Sequence, residues 1–143
     1  MMGLGKDPRI SIYKQSDQCT VWLVDGYYIR NHIDINFEHG GHHLVYWWIP
    51  PCEVWIEKEQ PFADYPFVAL HELDEHLKMR QGLNYDQAHE KALELEKLYR
   101  KAYSDDPHNT SFFFAVDDYM KVFRSQKNPK TCCAPKGFTG GDW

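Results

Sequence analysis

Cysteine is scarce in this chain and poorly spaced for a scaffold: four residues in 143, at positions 19, 52, 132 and 133. There is no CxxC pair, so a thiolate zinc knuckle is not expected, and four thiols are too few for a disulfide-built fold. A basic excess is missing too. Sixteen Lys and Arg stand against 21 Asp and Glu, for a net charge of −5. Gripping nucleic acid takes clustered cations that displace counterions from phosphates, so nucleic acid is not an expected partner. No apolar run approaches the roughly 20 residues of a membrane span. The opening MMGLGKDPR lacks the apolar core of a secretory signal. The expected compartment is therefore the cytoplasm, with no membrane partner.

What remains has the composition of a folded protein: 43% hydrophobic, 15% aromatic and 26% charged. The length suits one domain with its own core. We assign residues 1–125 to a single α+β domain. From Gln126 onward Pro, Gly, Lys and Cys dominate, and 126–143 reads as an irregular tail.

The first half reads as strands. Ile10–Tyr13 alternates, and Thr20–Val24 is rich in β-branched and aromatic residues. Asp25-Gly26 is a hairpin signal, with Tyr27–Arg30 as the return strand. Leu44–Ile49 is too apolar for a one-faced strand and is expected at the sheet centre. Glu53–Glu57 alternates like an outer strand. At least one of Trp47, Trp48 and Trp55 should be internal. After Pro61 the period becomes helical: Phe67, Leu70, Leu73 and Leu77 share a face of a helix over 63–80. Gly82 is a plausible stop, and Asn84 with Gln87 forms a capping-box pattern for a helix over 84–103. A third helix is expected over 111–124. The expected architecture is a twisted antiparallel sheet followed by two or three packed helices.

Two helical segments carry the chemistry. At ~100° per residue, His71 and Glu75 share a face, whereas His76 lies ~140° away. His76, like His32 and His108, is read as a surface residue. On the next helix, His89 and Glu96 fall on the side that Tyr85, Ala92 and Tyr99 mark for burial. A carboxylate taken out of water needs a cation, an arginine or a metal. Two histidines and a carboxylate are the protein ligands of many catalytic zinc sites. His71, Glu75 and His89 are the candidate ligands. Glu72 is the candidate general base, and Glu96 either orients His89 or acts as a fourth ligand. The bland alternative is a buried polar network closed by Arg30 or Arg80. The loop His39-Gly-Gly-His-His43 could add a ligand or touch substrate. His42 is its best candidate, His39 a second, and Asp34 a possible anchor.

The run LHELxExxxxxxGxxYxxAHxxAxxxE, Leu70 to Glu96, resembles a pattern in small uncharacterised proteins of phages and mobile elements. The likeness extends upstream to Val24-Asp-Gly and to 34–42. More loosely, the run resembles the active-site helix of zincin-like metallopeptidases, whose HExxH motif is matched by His71 and Glu72, with Glu75 at the second His position. That resemblance implies a zinc ion, a sheet packed on the active-site helix and amide hydrolysis of a peptide or protein. The phage likeness implies a viral protein, in host cytoplasm or virion. Three functions follow: a zinc-dependent peptidase; a non-catalytic structural or host-interaction protein; and an iron or manganese enzyme that is not a hydrolase.

Overall fold

The structure is a computed structural model and describes residues 6–16, 19–108 and 114–124. Four strands, β1 (Arg9–Gln15), β2 (Thr20–Val24), β3 (Gly40–His42) and β4 (Glu53–Glu57), form one sheet in the order β1-β2-β4-β3. Among the described residues, four α-helices complete the α+β fold: α1 (Gly26–His32), α2 (Tyr65–Arg80), α3 (Tyr85–Asp105) and α4 (Ala115–Arg124). No helix among the described residues is long and apolar enough to cross a membrane. The tail, with Cys132 and Cys133, and the start of the third expected helix lie outside the described residues.

The sheet is mixed rather than wholly antiparallel. β1 runs antiparallel to β2, and β3 antiparallel to β4, but β2 and β4 are parallel. The reason lies at Asp25-Gly26, where a helix starts instead of a hairpin. The Tyr28 amide donates to Asp25 Oδ1 at 3.0 Å, so Asp25 caps α1. Gly26 is needed for close approach: a Cβ there would stand 1.5 Å from Glu57 Oε2. With no return strand beside β2, that place is taken by β4.

β4 is therefore central, and its alternation reflects two covered faces. Val54 and Ile56 pack with Val21, Leu70, Leu73 and Val116 on the α2/α4 side. Trp55 packs with Val24, Ile29, Phe37, Trp48 and Ile49 on the α1 side. The segment 44–49 supplies that second cluster from turns, not from a strand. The His42 carbonyl accepts from the amides of Val45 and Tyr46, which turns the chain directly after β3. Trp48 and Ile49 are buried while Trp47 is 73% exposed.

α2 is the spine of the molecule. Phe67, Leu70, Leu73 and Leu77 are buried, as expected, but so are His71, Glu72, Asp74, Glu75 and His76. The polar face is covered by α3 and by the β3 edge. The helix ends on a Schellman arrangement: Gly82 N–H donates to Met79 O and Leu83 N–H to Lys78 O, with Gly82 at φ +107°. α3 then opens on the reciprocal Asn84–Gln87 capping box.

Candidate metal centre

One polar face of α2 and one of α3 meet beside the edge of the sheet. His71 and Glu75 lie one turn apart on α2 and point toward His89 in the second turn of α3. His71 Nε2 stands 3.2 Å from Glu75 Oε2 and 3.3 Å from His89 Nδ1, and the third side, His89 Nδ1 to Glu75 Oε2, is 2.7 Å. Ligand atoms about 2.0–2.1 Å from a zinc ion stand about 3.3 Å apart at tetrahedral angles. Two sides of this triangle have that length and the third is shorter. Two imidazole N–H groups can both donate to Glu75 Oε2 but leave the two nitrogens facing each other at 3.3 Å, whereas a cation can satisfy all three atoms. His71, Glu75 and His89 could together hold a metal ion.

The surrounding contacts fix the orientation of these side chains. His71 Nδ1 lies 3.0 Å from Glu96 Oε1, so Glu96 orients His71 and not His89. Glu96 in turn accepts from Arg100 Nε at 2.7 Å, and Arg100 donates to Asp64 at 3.0 Å. The other carboxylate oxygen of Glu75 faces His42: Nε2 is 2.9 Å from Oε1. The Leu44 amide donates to His42 Nδ1 at 3.3 Å, so Nε2 carries the proton and donates to Glu75. His42 thus enters from the β3 edge, fully buried. Of the anticipated arginines, Arg30 pairs with Glu57 at 3.2 Å and does not close the network.

These contacts set the protonation states. Burial works to lower the His71 pKa, but hydrogen bonds to Glu75 and Glu96 and the charges of Glu72 and Glu75 push it up to about 10. Burial would raise the Glu75 pKa, yet hydrogen bonds from His42, His71 and His89 hold the carboxylate well below its ordinary value. Burial depresses His42, which stays neutral. Glu72 is different. Burial first, and then the Glu75 charge, push it up to about 8. Its carboxylate makes no hydrogen bond to any described residue, although only 9% of the residue is exposed.

A cavity of about 600 Å³ opens over this cluster, lined among others by Gly40, Tyr46, Glu72, Tyr85, His89 and Arg100. Gly40 lets the sheet edge approach: a Cβ there would meet Glu72 Cγ at 3.2 Å and Trp55 O at 3.0 Å. Tyr85 stacks on His89 with centroids 5.2 Å apart, and its hydroxyl lies 3.4 Å from His89 Nδ1.

The remaining candidates divide. His39 lines the cavity from an exposed position, and its carbonyl binds the Glu57 amide. Asp34 is a turn residue accepting from the Asn36 amide at 2.9 Å, with the Trp48 indole 3.5 Å away, and it does not join the cluster. His76, expected at the surface, is 1% exposed because β3 and its loop cover it. Its Nε2 is 3.3 Å from His43 Nδ1, and its ring meets that of His42 edge-on. Tyr85 is a lining residue the spacing did not single out as functional; its position four residues before His89 is the signal that could have done so. Comparison of the chain with protein-family models, curated proteins and solved structures gives no match, so any function rests on geometry alone.

Proposed function

We propose that the chain is a small zinc-dependent hydrolase acting on peptide or protein substrates. The observation that carries this reading is the convergence of His71 Nε2, Glu75 Oε2 and His89 Nδ1 on one point, with the Glu72 carboxylate, unbonded among the described residues, beside them in a substrate-sized cavity. A zinc ion held by those three side chains would polarise a carbonyl and acidify a water. Glu72, its ionised form favoured once a cation stands beside it, would accept the proton of the attacking water on its carboxylate and return it to the leaving amine. Glu96 and His42 keep the imidazole of His71 and the carboxylate of Glu75 in place.

Support for an amide substrate comes from β3. Gly41 pairs with Trp55 in the ladder, and the Glu57 amide binds the His39 carbonyl, so the Gly40 N–H and C=O point away from β4. An extended peptide can pair with those groups beside Glu72.

Protein purified without chelator is expected to hold about one equivalent of zinc by elemental analysis. Iron or manganese in its place would favour the non-hydrolytic reading of the same residues. Glu72→Gln should retain the metal and lose turnover of a fluorogenic peptide mixture; full turnover in that variant rules the mechanism out. A second reading has its own observation: the chain His71–Glu96–Arg100–Asp64 is a closed polar network that could simply fasten α3 to α2. In that case the chain is a structural or host-interaction protein, and its melting temperature is the same with and without chelator.

A further inference from the structure

We propose a second cation position on the far side of Glu75, held by His42, Glu72 and Glu75, so that the Glu75 carboxylate bridges two divalent ions. The proposal rests on the metal reading of His71, Glu75 and His89, and extends it. Each oxygen of Glu75 is already committed to a different group of nitrogens. Oε2 faces His71 and His89 at 3.2 and 2.7 Å, while Oε1 faces His42 at 2.9 Å. His42, Glu72 and Glu75 each bring a ligand atom within 4.8 Å of the other two, and all three are buried.

The second, independent observation is Glu72. The polar atoms of a residue buried to nine-tenths normally have at least one hydrogen-bond partner. This carboxylate has none among the described residues and stands beside a second carboxylate. Two adjacent buried carboxylates and an imidazole are a donor set for a hard or borderline divalent ion such as zinc or manganese. Carboxylate-bridged pairs sit roughly 3.5–4 Å apart, a separation one carboxylate can span.

The two positions are unequal. The first has two imidazoles, one of them backed by Glu96. At the second, ligation through His42 Nε2 moves the proton to Nδ1, against the Leu44 N–H that now donates there at 3.3 Å. The second ion therefore binds more weakly, by on the order of 10- to 100-fold. While it is bound, Glu72 is a ligand and takes no proton.

The experiment is equilibrium dialysis of the metal-free full chain against graded Zn²⁺, with bound metal measured by elemental analysis. A parallel Mn²⁺ series is read by electron paramagnetic resonance. Wild type should bind two equivalents in two steps, and the manganese form should show the exchange-coupled signal of a bridged pair. His42→Gln keeps a donor toward Glu75, so it should fold with an unchanged circular dichroism spectrum. It should bind one equivalent and give only an uncoupled signal. His89→Ala should lose the tight step and keep the weak one. Saturation of wild type at one equivalent overturns the second position and leaves the proposed hydrolase standing. Two equivalents persisting in His42→Gln also overturn it, since the second ion then lies elsewhere. No bound metal in any form removes both proposals together.

Discussion

At the scale of single residues, His71 decides how the centre responds to protons. Its imidazolium is held by Glu75 and Glu96 with a pKa pushed up to about 10, so near neutral pH a metal must displace a proton to bind. Calorimetry at pH 7 in buffers of different ionisation enthalpy should register release of one to two protons per tight metal bound, the first from His71 and the remainder from Glu72. A value near zero would mean His71 is not a ligand. Glu96→Gln removes the carboxylate behind His71 without touching a ligand and should weaken metal binding about 10- to 100-fold. Competition with a chromophoric chelator measures it, and unchanged affinity would assign Glu96 to the Arg100 contact alone.

The elements explain how far the sequence could be read. Spacing four apart was enough to place His71 and Glu75 together, and the Asn84–Gln87 pattern marked the start of α3, because both signals are local to a helix. Asn84→Ala should lower stability by about 1 kcal/mol, and Gly82→Ala by about 1 kcal/mol through its positive φ, both read by urea titration. The strand region was less legible. Asp25-Gly26 serves a hairpin or a helix cap equally well, and only the Glu57 carboxylate against Gly26 decides for the cap. An apolar run such as Leu44–Ile49 is equally content in a central strand or in turns folded over Trp55. His42 and His76 depend on an approach between β3 and α2 that spans more than thirty residues of chain, and no periodicity reports it.

For the whole molecule, the same groups set stability against pH. In the metal-free protein Glu72 keeps its proton up to about 8, while in the unfolded chain it ionises near 4.5. Stability therefore falls as pH rises through that interval. His71 adds to the fall: its contribution is complete below about 6.5 and is lost as pH climbs toward 10. Glu75 acts oppositely, its stabilisation disappearing as pH drops below its unfolded value of 4.5. Thermal melts of metal-free protein should therefore show a decline from pH 6.5 to 8. Zinc at about 1,000 times its dissociation constant should add about 4 kcal/mol and reverse that decline, since binding improves as protons leave. A flat profile in both forms would sink this account.

α3 places only Ala88 and Ala92 fully in the interior, and its principal neighbour is α2. Beyond these, Tyr99 packs on the core and Tyr103 meets Phe67 edge-on, so α3 is seated jointly by these contacts and by the imidazoles and carboxylates along the seam. With that seam unsatisfied, α3 is expected to loosen against α2 while the strands keep their pairing. Amide exchange along 85–105 would then run ahead of exchange in α2, and the cluster would act as a latch for a hinged flap over the cavity.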